Sequence, residues 1–125
     1  MEIRFLGKES EHGDSPTLYA TDRATYLVQG WKVAEPETLA KLDVPEDEAV
    51  VEVYARLMSH LTKDGKSEVI TCWIPPIVHV RDNGNLVIQG RRLADSELRV
   101  QMNIPDHEDV VEVDTAAVEA ILGEG

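Results

Sequence analysis

The sequence predicts an α+β fold built twice, as two β-β-β-(short α)-β-α units packed on each other with pseudo-twofold symmetry. Three observations predict it. Residues 16–53 and 76–113 align without a gap at an offset of 60. Turn signals separate short strand-like runs at the same places in both stretches. Each stretch then carries helix-start signals, a proline with an acidic turn, and a final apolar run. The identities include Pro16 with Pro76, Asp22 with Asp82, Gln29-Gly30 with Gln89-Gly90, and Ala34 with Ala94. Glu37 with Glu97, Pro45 with Pro105, Glu48 with Glu108, and VVEV at 50–53 and 110–113 follow. Chance does not hold one offset over so many matches, and a repeat decides the architecture before any local reading. The units run 1–65 and 66–125 and share one compact domain.

The elements follow in order. Glu2–Leu6 resembles Glu68–Cys72, so a strand at 2–6 or 68–74 opens each unit, with the length difference in the polar stretch Lys8–Ser15. A hairpin follows. Leu18–Thr21 leads through Asp22-Arg23-Ala24 into Thr25–Val28, and Ile77–Arg81 leads through Asp82-Asn83-Gly84-Asn85 into Leu86–Gln89. Asn-Gly is a strong turn pair because both residues tolerate positive φ. Gly30 and Gly90 are expected to end or bulge the returning strand.

Pro36 suits the first turn of a helix running to Leu42, and the neighbouring acids favour its N-terminal dipole. In the second unit Asp95-Ser96-Glu97 plays this part, although Leu98–Met102 also alternates as a strand would. Strands Ala49–Val53 and Asp109–Val113 come next, with Glu52 and Glu112 predicting a half-buried pattern. A helix closes each unit: Tyr54–Leu61, with Gly65 as a C-cap, and Ala116–Leu122, ended by Gly123. Leu57, Met58 and Leu61 form one apolar stripe; Ala117, Val118, Ile121 and Leu122 form the other. A single unit would leave a sheet face bare, so the two should cover each other.

Composition narrows the function. The chain has 125 residues, is 42% hydrophobic and carries few aromatics, so its core should be Val, Leu and Ile. Its net charge of −12 repels phosphate backbones and argues against direct nucleic-acid binding. Beyond Arg99 there is neither Lys nor Arg. Such acidity serves solubility, or attracts a partner protein with a basic patch. The single cysteine, Cys72, excludes an intrachain disulfide and fits a reducing compartment. The start MEIRFLGKESEHG lacks a secretory pattern, and no apolar run approaches the ~20 residues that span a bilayer. A cytoplasmic location is expected, with no membrane partner.

Chemistry-bearing groups are scattered. His12, His60, His79 and His107 form no His-x-x-x-His pair, and one cysteine makes no thiolate zinc site. His107-Glu108-Asp109 offers metal-type donors, but an acidic turn facing water uses the same letters, and the alternation of a calcium loop is absent. No Gly-rich phosphate loop occurs. No catalytic residue, metal or cofactor is therefore assigned. Cys72 reads as a buried small hydrophobe, Trp73 as a residue packed across the seam, and Pro75-Pro76 as a rigid link. The units diverge just after the matched Gln-Gly, where Trp31-Lys32 becomes Arg91-Arg92. Trp31, Lys32, Arg91, Arg92 and Trp73 are thus the candidate binding residues. The plainer readings are a core role for Trp31 over the short helix, and ion pairs for the two arginines.

The stretch SPTLYATDRATYLVQGWKV at 15–33, with the proline, acids and VVEV beyond it, resembles a group of small acidic proteins of actinomycetes encoded near helix-turn-helix regulators. The resemblance covers roughly residues 5–53. It implies a regulatory partner protein rather than an enzyme, and it carries over no catalytic residues. The second unit departs from the motif, with Arg91 where the tryptophan stands. The expected function is an acidic protein-binding or regulatory accessory role, engaging a basic or DNA-associated partner protein. The alternative is a small-molecule or metal site in the groove between the repeats. Apolar surface left over after the units pack would drive homodimerisation.

Overall fold

A computed structural model describes residues 1–9 and 16–123. Its elements are β1 (Ile3–Lys8), β2 (Thr17–Thr21), β3 (Thr25–Lys32), α1 (Pro36–Ala40), β4 (Glu48–Val53) and a 3₁₀ helix (Ala55–Asp64). The second half contributes β5 (Ile77–Val80), β6 (Leu86–Arg92), α2 (Ser96–Met102), β7 (Glu108–Asp114) and α3 (Thr115–Ile121). No helix among the described residues is long and apolar enough to cross a membrane. The repeated order is consistent with an internally duplicated α+β architecture.

The two halves do not stack as finished layers; they exchange strands. β3 pairs antiparallel with β7, β7 with β6, β6 with β4, and β4 back with β3, so four strands close a ring. Within the ring, each pairing made by a strand of the first half recurs in the second at the same register. Val28 faces Val111 as Ile88 faces Val51, and Trp31 faces Glu52 as Arg91 faces Glu112. The outer strands β1 and β2 extend the ring beside β3, and β5 extends it beside β6.

Gly30 and Gly90 mark where this exchange happens. Neither ends its strand: β3 runs on to Lys32 and β6 to Arg92. Near these points one edge of β3 passes from β2 to β4, and one edge of β6 passes from β5 to β7. A Cβ on Gly30 would lie 2.5 Å from the Glu52 carbonyl oxygen, and one on Gly90 would lie 2.6 Å from that of Glu112. The expected strand end is therefore a close crossing of backbones, which only glycine allows.

The core divides accordingly. Inside the ring lie Val28, Val51, Val53, Ile88, Val111 and Val113, closed by Leu57, Met58 and Leu61 of the 3₁₀ helix and by Val118 and Ile121 of α3. Each such side chain contributes about 1.5–3 kcal/mol when fully buried. Two matched clusters cover the outer face. Leu27, Leu93 and Val110 lie with Met102 and Ile104, and their counterparts Val87, Val33 and Val50 lie with Leu42 and Val44.

Several local expectations change. The closing helix of the first unit is 3₁₀, and within it the Ser59 and Thr62 hydroxyls donate to the carbonyls three residues back, Arg56 (2.7 Å) and Ser59 (2.8 Å). Gly65 does cap it, at φ 75°. The ambiguous stretch 98–102 is helical, since the Asp95 carboxylate accepts from the Leu98 N–H (3.1 Å) at the N-cap. The first-unit helix is shorter than expected, ending at Ala40. No strand forms over 68–74; only Ile70 bridges to Leu122. There the Val69 carbonyl accepts from Gly123 N–H (2.7 Å) and Thr71 N–H donates to Ile121 (2.9 Å), which ties the segment to the end of α3. The stretch that compensates the repeat offset falls mostly outside the described residues, as does His12.

Candidate functional site

The two strand ends that follow the glycine crossings bring Lys32 and Arg92 to one side of the ring. Their backbones are fixed alike: Lys32 N–H donates to His107 carbonyl and Arg92 N–H to Asp47 carbonyl, each at 2.9 Å. Between them opens a cleft of about 470 Å³. Its lining includes both members of three matched pairs, Lys32/Arg92, Leu39/Arg99 and Ala49/Asp109, so it lies between the repeats.

Asp109 organises this cleft. It is buried, and its two carboxylate oxygens accept from Arg92 Nε and from Arg99 Nη1, each at 3.2 Å. Arg99 Nη1 also donates to the Leu93 carbonyl (2.9 Å), which holds the guanidinium from two directions. The matched position in the first repeat is Ala49, so no carboxylate repeats this arrangement there. The Lys32 side chain is exposed and makes no ion pair or hydrogen bond among the described residues.

The neighbouring acids also point inward. Glu108, 2% exposed, accepts from Gln29 Nε2 (2.9 Å) and lies 3.4 Å from His107 Nε2. The matched Glu48 accepts from Gln89 Nε2 (2.7 Å). Glu112 is buried and accepts from the Thr25 hydroxyl (2.7 Å), while Glu52 takes Arg81 (3.0 Å) and Asn85 (2.9 Å). The acidic turn expected to face water thus places Glu108 and Asp109 in the interior, and the half-buried pattern expected of the last strand is replaced by burial from Glu108 to Val113. Fixed donors on the adjacent strands make that burial tolerable. Among the described residues, no group of three or more His, Cys, Asp and Glu side chains is arranged to hold a metal.

The five sequence candidates do not converge. Trp31 is half-buried, edge-on to Tyr54 with ring centroids 4.9 Å apart, and Arg56 lies over the other aromatic at 4.2 Å. Arg91 turns to the ring's other side, where Asp114 accepts at 3.0 Å and Glu112 lies 3.9 Å away. The Asp114 hydrogen bond raises the Arg91 pKa further above its ordinary range, against a smaller opposing effect of burial. Lys32 and Arg92 share the cleft. Trp73, expected to pack across the seam, is 57% exposed, and Cys72, expected to be buried, is exposed beside it. Tethering of residues 69–71 to the end of α3 holds this segment outside the core.

Arg99 and Asp109 were not legible as site residues. The usable signal was the joint repetition of Gln29/Gln89 with Glu48/Glu108, which are hydrogen-bonded across the repeats; Arg99 replaces a leucine and leaves no such trace. The chain has no significant match to a protein-family model, to a curated protein or to a solved structure.

Proposed function

We propose that the chain acts by binding, as an acidic accessory protein that receives an extended segment of a partner protein along β5. The carrying observation is a difference between the repeats. In the first, β2 pairs with β3 on one edge and β1 on the other; in the second, its counterpart β5 pairs, among the described residues, with β6 alone. The segment that resembles β1 in sequence is held off the sheet, and Val69, Trp73 and Ile74 in it are exposed, as is Val80 on β5. An open strand edge suits strand addition, in which backbone hydrogen bonds provide affinity and contacts with exposed apolar side chains provide selectivity. The net charge of −12 favours a partner with a basic patch, such as a regulatory protein. The two repeats are related by an approximate twofold axis through the strand ring, and among the described residues β2 of the first repeat is an inner strand whereas its counterpart β5 lies at the sheet edge.

The test is affinity capture with the intact chain and with Trp73→Ala and Val80→Lys variants. One basic protein should be recovered by the intact chain and lost with both variants. Recovery that is indifferent to both substitutions contradicts the reading. A concentration-dependent dimer abolished by the same changes would instead make the occupant a second copy of this chain.

A further inference from the structure

We propose that the cleft between the repeats is a binding site for a small oxyanion, a carboxylate or phosphate carrying a short apolar portion. This stands apart from the strand-addition reading, because it uses neither β5 nor the 69–74 segment.

Charge favours an anion in the cleft. Acids outnumber bases 24 to 12 in the chain, yet the cleft lining holds Lys32, Arg92 and Arg99 against Glu48 and Asp109. Glu48 is further occupied by the Gln89 amide, and Asp109 by the two guanidiniums. A locally cationic hollow on an acidic surface draws small anions and repels the protein's own kind.

Donor capacity favours it as well. Arg92 engages Asp109 through Nε, leaving its terminal nitrogens without a partner among the described residues. Arg99 commits Nη1 and leaves Nη2 free in the same sense. Lys32 commits no side-chain donor among the described residues. A guanidinium presents five N–H donors in a planar fork and an ammonium presents three, so donors remain for the oxygens of a carboxylate or phosphate. Because Asp109 is buried and fixed, the two forks are oriented before any ligand arrives, which reduces the ordering cost of binding. Asp109 is in this sense a positioning residue.

The rest of the wall is apolar. Val33, Leu39, Val44 and Val50 line the cleft, so an apolar portion of the ligand has surface to cover. A volume of about 470 Å³ falls within the range of small-ligand sites.

Calorimetric titration and ¹⁵N-resolved NMR with inorganic phosphate, acetate and hexanoate test the site in the intact protein. Saturable shifts should centre on Lys32, Arg92 and Val50. Hexanoate should bind roughly tenfold more tightly than acetate, if two or so methylenes are buried. Lys32→Ala should weaken binding by about fivefold, the size of one exposed charge contact, while Lys8→Ala on distant β1 leaves it unchanged. Asp109→Asn, which loosens the forks, should weaken binding although it removes a negative charge; a purely electrostatic site would bind more tightly. Saturation by phosphate but by neither carboxylate would specify a phosphate ligand. No saturable response to any of the three, or equal affinity in the Lys32→Ala protein, would overturn the proposal.

Discussion

Tyr26 and Asp64 tie the ring to the 3₁₀ helix through one hydrogen bond. The buried tyrosine hydroxyl donates to Asp64 Oδ2 at 2.6 Å, and Arg4 reaches the other carboxylate oxygen. Burial and then the Asp64 bond push the Tyr26 pKa up. Burial also disfavours ionised Asp64, but Tyr26 and Arg4 outweigh it and hold this carboxyl below its ordinary range. The folded pKa of Asp64 is thus depressed, so its stabilisation is present above the unfolded value of about 4 and is lost as pH falls through the folded one. Tyr26→Phe should cost about 1–2 kcal/mol at neutral pH, and denaturant titrations should show that difference shrinking below about pH 4. A difference independent of pH would mean that the hydroxyl does not serve the ionised carboxylate. Residue roles were the least legible part of the sequence. Glu108 and Asp109 look like surface acids because their partners, Gln29, Arg92 and Arg99, come from other elements. Lys32 and Arg92 drew notice as a divergence, but nothing in the letters joined them to Arg99. The tight turn shows the same limit: Ala24 adopts φ 56° where its counterpart is Gly84, an inherited backbone shape that alanine does not announce.

At the scale of elements, the repeat was read well wherever both copies keep the same letters. The hairpins, the short helices and the last strands appear at the matched places, and Gly65 caps the helix assigned to it. Residues 68–74 resemble 2–6 in sequence but do not pair as that strand does. Hydrogen bonds to Ile121 and Gly123, distant in sequence, decide the matter instead. Gly30 and Gly90 were singled out, but a strand crossing cannot be told from a strand end without knowing which strand lies across it. Their equivalence makes a sharp prediction. Gly90→Ala sets a Cβ 2.6 Å from the Glu112 carbonyl and 2.8 Å from Val113 Cγ1, both on β7. Backbone cannot yield cheaply there, so a loss of about 1–3 kcal/mol is expected, with a similar loss for Gly30→Ala. Chemical denaturation measures both; an undisturbed protein in either case would place the crossing elsewhere.

For the molecule as a whole, duplication was legible and strand exchange was not. The matched letters require similar units, but they are silent on whether β3 pairs along its length with β4 of its own repeat or with β7 of the other. Burial decides in favour of exchange. β3 and β7 run together from Thr25 to Trp31, placing Val28 and Val111 in the ring's interior, and β4 with β6 does the same for Val51 and Ile88. Neither repeat can then complete its core alone, and the cleft depends on this because it forms where the repeats meet; the open edge of β5 has a separate cause, the attachment of residues 69–72 to the end of α3. Backbone and side-chain NOEs in the intact protein test the exchange most directly. Contacts between Val28 and Val111, and between Val51 and Ile88, are predicted. Cross-strand contacts confined within residues 1–65 and within 66–125 would contradict it.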